Sequence, residues 1–277
     1  MIMNMKRVFM AALALLVCGA FNDADASGRK KKDFSVEHPW AGAKVAYLGD
    51  SITDPGVLKE DTHYWGFLQQ WLDIEPLVYG RSGHQWHQIA GQADKLNAEH
   101  GDEFDAIMIF VGTNDYNAGV PIGEWFTEEK VTVNADGRQV ERVRRVPVMD
   151  QTTYRGRINS VLDKLKRMYP TKQIVLLTPI HRAYATFADH NVQPDESHQN
   201  ACGEYVDAYI ASIKEASAIW SVPVIDTYAL SGLFPMHQEQ QMYFPGGNDW
   251  LHPDQDGHRR FALCLYYQLL ALPCRAI

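Results

Sequence analysis

The chain has 277 residues, 46% of them hydrophobic and 22% charged, with a formal net charge of −8. These proportions suit an ordinary soluble chain and exclude disordered, collagen-like and coiled-coil classes. The acidic balance argues against DNA or RNA as a partner, because phosphate binding requires a basic face.

In chain order, the first segment reads as a secretory signal peptide. Lys6 and Arg7 give it a positive start, residues 8–17 form an apolar run too short to span a bilayer, and Ala24-Asp25-Ala26 is a small-residue cleavage site. Removal of 1–26 leaves 27–277 as one domain, periplasmic or extracellular, with no integral membrane segment. A lipoprotein signal is the alternative. Leu15-Leu16-Val17-Cys18 resembles a lipobox with Cys18 as the lipidated residue, but Val17 stands where a small residue is expected. Cys202, Cys264 and Cys274 then remain, which allows at most one bridge and no disulfide scaffold. Without a Cys-x-x-Cys pair, no structural zinc site is expected.

The spacing of apolar residues predicts strands at 44–48 (KVAYL), 76–79 (PLVY), 106–111 (AIMIFV), 173–177 (QIVLL) and 222–225 (VPVI). Between them it predicts helices at 64–72, 85–96, 152–169, 200–220 and 258–270. The helix at 152–169 is strongly amphipathic, with Ile158, Val161, Leu162, Leu165 and Met168 on one face, and it stops before Pro170. Short apolar strands alternating with helices predict an α/β fold, a three-layer α/β/α sandwich around a sheet of about five parallel strands in flavodoxin-like order. An irregular insert at 117–151 carries the turn signal Asp136-Gly137 between two polar stretches, which predicts a β-hairpin. Because it follows the third strand directly, the expectation is that it borders the functional end of the sheet and shapes substrate choice.

Sites in open α/β sheets form at the carboxyl ends of strands. Three such ends carry Gly49-Asp50-Ser51-Ile52, Gly80-Arg81-Ser82-Gly83 and Gly112-Thr113-Asn114-Asp115, and Asp249-Trp250-Leu251-His252-Pro253 precedes the last helix. A single Gly-Asp-Ser is only suggestive; four such blocks in this order form a specific set. As a set they resemble the SGNH/GDSL family of serine hydrolases, over nearly the whole mature chain. The resemblance implies Ser51 as nucleophile, Gly83 and Asn114 as oxyanion-hole residues, and Asp249 and His252 as the acid–base pair. Tyr79 departs from the family pattern, which often has Asn before the first glycine of the second block.

The residue chemistry supports these roles. A serine hydroxyl needs an adjacent base, and imidazole titrates near neutral pH. Asp249, three residues before His252, can fix the imidazole tautomer. The Ser51 N–H, the Gly83 N–H and the Asn114 amide can meet a developing oxyanion. Blander readings stand beside them: Asp50-Ser51 as a helix cap, Asn114-Asp115 as a turn, His252 as a surface histidine. His84 and His87 lack a third ligand in the sequence and read as solvent-facing or substrate-lining rather than metal-binding. Arg138, Arg142, Arg144 and Arg145 read as a solvated hairpin face before an anion site. Trp86 and Trp250 lie beside motif residues and are the candidate substrate-binding aromatics.

The function expected is a secreted serine esterase that removes a short acyl group, such as acetyl, from a carbohydrate or related ester. It needs no cofactor and no metal; the chain contains neither G-x-G-x-x-G nor a P-loop. The alternatives are a lipid esterase or thioesterase on the same site, and a catalytically silent carbohydrate-binding protein of the same fold.

Overall fold

The computed structural model describes residues 38–58 and 62–274. The expected signal segment, its cleavage site and Cys18 lie outside the described residues.

Five parallel strands form the central sheet: β1 (Lys44–Gly49), β2 (Glu75–Val78), β3 (Ala106–Phe110), β6 (Gln173–Leu177) and β9 (Val224–Ile225), in the order β2-β1-β3-β6-β9. That is the flavodoxin-like order, and each crossover carries helical segments. Four main helices start within three residues of the expected positions: α1 (Tyr64–Leu72), α2 (Trp86–His100), α4 (Tyr154–Met168) and α7 (Gln255–Leu269). α5 (Val206–Trp220) begins six residues later than the periodicity suggested, because 200–205 form turns in which Asn200 Oδ1 accepts from the Cys202 and Glu204 N–H groups. Two short helices, α3 (Thr113–Asn117) and α6 (Thr227–Leu230), follow β3 and β9.

Alternation along the strands fills two cores. On one face Leu48, Ile107, Ile109 and Leu176 pack against Ile89 and Leu96 of α2, Ile158 and Leu162 of α4, and Ile213 of α5. On the other, Val45, Tyr47, Met108, Phe110 and Val175 meet Tyr64 and Leu68 of α1 and Phe261 and Leu265 of α7. β3 (AIMIF) serves both faces, which is why it reads as a continuous apolar run.

The insert forms the expected hairpin, β4 (Phe126–Ala135) and β5 (Arg138–Pro147), paired in register through the Asp136-Gly137 turn. Its base is fixed on the helical layer. Trp125 Nε1 donates to Glu215 on α5 at 2.6 Å, and Asn159 on α4 donates to the carbonyls of Trp125 and Val148, both at 2.9 Å. A second hairpin, β7 (Ala185–Ala188) with β8 (Asn191–Gln193), was not expected from the sequence. Its strands are too short to show a period. Cys202 is exposed and Cys264 half-buried, and neither is bridged.

Candidate active site

The three strand ends and the pre-helix loop converge at the carboxyl edge of the sheet. β1 ends in Gly49, packed so closely that an added Cβ would stand 2.5 Å from the Phe110 carbonyl oxygen of β3. The chain then turns: Asp50 Oδ1 accepts from the Ile52 N–H at 3.1 Å, and the Thr53 and Asp54 N–H groups both donate to the Asp50 carbonyl. This tight turn, built from local polar groups, presents Ser51 at the strand end.

His252 reaches it from the loop before α7. Ser51 Oγ and His252 Nε2 are 2.8 Å apart, and His252 Nδ1 and Asp249 Oδ2 are 2.8 Å apart. Asp249 Oδ1 also accepts from the N–H groups of Leu251 (3.1 Å) and His252 (3.0 Å). Burial pushes the Asp249 carboxyl up, but the His252 contact and these two backbone donors outweigh it and hold it below the ordinary value. An ionised carboxylate only accepts, so Nδ1 carries the proton and Nε2 offers its lone pair to the Ser51 hydroxyl.

Gly83 has φ +78°, a conformation that favours glycine, and the space around it is open. Its neighbours fix it: the Ser82 N–H donates to Asp54 Oδ2 at 2.8 Å, and the His84 carbonyl accepts from Asn114 Nδ2 at 3.0 Å. Among the described residues, the N–H groups of Ser51 and Gly83 donate to no other protein atom. Asn114 thus uses its amide to hold the Gly83 loop.

Gln92, Asp115 and Arg157 also hold this arrangement; the sequence offered Asp115 only as part of a turn and gave the other two no role. Gln92 on α2 accepts from the Gly49 N–H and donates to the Gly49 carbonyl, each at 2.8 Å, and also contacts His84 Nδ1 at 2.9 Å. Its signal was a glutamine on the apolar side of a helix, between Ile89 and Leu96. Asp115 accepts from the Trp86 N–H (3.0 Å) and from Arg157 (2.8 Å), tying the start of α2 to α3 and α4. Burial raises the Asp115 carboxyl to about 6 against these contacts.

One expectation is corrected. Trp86 does not line the site: it is fully buried, and its indole N–H donates to Tyr154 Oη at 3.1 Å, because the first turn of α2 directs it toward α4. Among the described residues, the β4–β5 hairpin makes no hydrogen bond, ion pair or ring contact with Ser51, Asp249 or His252. Its charges pair across its own strands, Arg144 with Glu129, Arg145 with Glu128 and Lys130 with Glu141, as on a solvated face. Trp250 is half-buried against the α1–α7 core, and its backbone pairs with the chain around β7. His84 is engaged by Gln92. Burial and the neighbouring Arg81 lower its pKa, and burial and Arg157 lower that of His87.

A hydroxyl, an imidazole and a carboxylate joined in that order, beside unengaged backbone donors, form the kind of site that acyl chemistry uses. The chain belongs to the GDSL-like lipase/acylhydrolase family, whose pattern it matches over residues 47–260, and it is an ester hydrolase. No curated protein matches it. Among solved structures it resembles a protein from Lactobacillus plantarum (24% identity, TM-score 0.64, covering 85% of this chain and 98% of that one). It also resembles a protein described as a possible lipase from Chitinophaga pinensis (20% identity, TM-score 0.60, 83% and 99% covered). A third likeness is to an acetylxylan esterase from Geobacillus stearothermophilus (18% identity, TM-score 0.51, 85% and 97% covered). At these identities the likeness concerns the fold.

Proposed function

We propose that the protein is a serine esterase in which Ser51 is the nucleophile, His252 the general base and then general acid, and Asp249 the residue that orients and stabilises the imidazolium. The observation that carries this reading is the unbroken contact from Ser51 Oγ through His252 to Asp249, 2.8 Å at each step. His252 Nε2 takes the hydroxyl proton as Oγ attacks the ester carbonyl. The oxyanion faces the N–H groups of Ser51 and Gly83 and the Asn114 amide. Collapse expels the alcohol with the proton from Nε2, and water repeats the sequence to release the acid.

The substrate we propose is a short acyl ester, such as an acetyl group on a carbohydrate, handled by an exported enzyme. The signal-like start of the chain supports export, and the acetylxylan esterase of similar fold supports the substrate class. The test is a panel of 4-nitrophenyl acetate, butyrate and octanoate beside acetylated xylan and pectin fragments, run with wild type and Ser51→Ala. Ser51→Ala is expected to fold and to lose turnover by at least about 10³-fold. Near-wild-type turnover in that variant rejects the nucleophile, and preference for octanoate over every acetate rejects the acyl class.

A further inference from the structure

The β7–β8 hairpin is attached to the loop that carries Asp249 and His252. The Ala183 N–H donates to the Trp250 carbonyl (3.0 Å), the Trp250 N–H to the Tyr184 carbonyl (3.1 Å) and the Thr186 N–H to the Asn248 carbonyl (2.7 Å), while Ala185 bridges Asp249. Its far end is pinned as well. Buried Arg182 donates to Gln193 Oε1 and to the Pro194 carbonyl, both at 3.2 Å, and also to Thr113 Oγ1 and Asn117 Oδ1 of α3. Asn117 Nδ2 donates to Gln193 Oε1 at 2.6 Å. A two-point attachment of this kind fixes the hairpin in advance of any ligand.

On this frame the Phe187 ring lies 5.2 Å from the His252 ring, centroid to centroid, with 57° between the planes. Phe187 is nevertheless 43% exposed and Tyr184 41% exposed. The Tyr184 hydroxyl accepts from Thr186 Oγ1 at 2.6 Å. Core packing does not account for a phenylalanine left open to solvent against a polar relay.

The direction of proton transfer says what belongs there. When the acyl group has passed to Ser51 Oγ and the acyl–oxygen bond breaks, the Nε2 proton goes to the departing alcohol oxygen. The alcohol portion of the ester therefore lies against His252, and Phe187 lies beside the His252 ring. We infer that the Phe187 face of the β7–β8 hairpin is the alcohol-side binding site and that its ligand is the pyranose ring bearing the ester; this rests on the serine esterase reading above. A pyranose offers a flat C–H face to an aromatic ring and hydroxyls at its rim, and the same hairpin carries the Tyr184 and Thr186 hydroxyls. An alkyl alcohol calls instead for an enclosed apolar slot, and this face is an open platform.

The test measures kcat and KM for ethyl acetate, hexyl acetate and an acetylated methyl pyranoside. The proteins are wild type, Phe187→Ala, Phe187→Trp and, on the remote hairpin, Val143→Ala. In Phe187→Ala the preference for the pyranoside over ethyl acetate is expected to fall about fivefold to tenfold, mainly through KM, as loss of one aromatic contact implies. Phe187→Trp retains the preference and Val143→Ala does not alter it. An unchanged preference in Phe187→Ala overturns the inference. So does an equal loss on all three esters, which would make Phe187 a prop for His252, and so does a larger loss on hexyl acetate than on the pyranoside. Turnover surviving in Ser51→Ala overturns the underlying esterase reading; an inactive Ser51→Ala beside an unaltered Phe187→Ala overturns the hairpin's role alone.

Discussion

Two carboxylates close to Ser51 are driven in opposite directions by their surroundings. Asp249 is held low by His252 and two backbone donors, whereas Asp50 is fully buried, its Oδ2 without a partner. Burial, with a further push from Asp115, raises Asp50 to about 7 despite the Ile52 N–H and the nearby His252. A carboxyl whose pKa rises on folding favours the native state most when protonated. Its contribution is complete below the ordinary carboxylate range and is lost as pH rises through about 7. Asp50→Asn keeps an acceptor for the Ile52 N–H and removes the charge. It is expected to stabilise the protein at pH 8 by on the order of a few kcal/mol, with the difference vanishing near pH 4. Thermal unfolding at the two pH values checks this, and a difference that does not vary with pH contradicts it.

Among the elements, α2 does the most to place the strand ends. It runs beside β1, and Gln92 supplies the acceptor for the Gly49 N–H and a second donor, beside the Arg81 N–H, for the Gly49 carbonyl at the limit of the β-ladder. Its first turn is drawn to α3 by Asp115, which Arg157 of α4 also grips. One helix therefore fixes the Ser51 turn, the Gly83 loop and the Asn114 turn relative to one another. Gln92→Leu keeps the helix and most of the volume but strands the buried Gly49 N–H and leaves the Gly49 carbonyl with the Arg81 N–H as its one donor. It is expected to cost about 1–3 kcal/mol in urea unfolding and to lower kcat more than it raises KM, because the Ser51 turn loses its clamp. A variant as stable as wild type with normal kcat would show that the clamp is dispensable.

At the scale of the molecule, the sheet carries two additions with different attachments. The β4–β5 hairpin stands on α4 and α5, its strands mostly exposed and its ion pairs at the surface, where each contributes about 0–1 kcal/mol. The β7–β8 hairpin stands on the loop that carries Asp249 and His252. Replacing residues 128–145 by a tight turn, with Trp125, Phe126 and Val148 retained, is expected to leave the melting temperature and turnover of both small and polymeric acetates close to wild type. Loss on the polymer alone would restore a substrate-facing role to that insert; loss on both would show that the fold depends on it.

The sequence by itself determined the layered architecture, because strands buried on both faces and helices buried on one leave different apolar periods. It also determined the four polar blocks, whose glycines and short polar residues specify local turns at strand ends. What it left open depends on contacts between distant parts of the chain. Ser51 and His252 are 201 residues apart and Gly49 and Gln92 are 43 apart, so no local pattern records their pairing. Trp86 lies three residues from Gly83, but helix geometry turns it into the core, so nearness in sequence misled. The second hairpin has strands of four and three residues, too short for a period, and its partner is a loop rather than the sheet. Only the tertiary structure placed this hairpin beside His252, since that depends on which surface accepts its unpaired backbone groups.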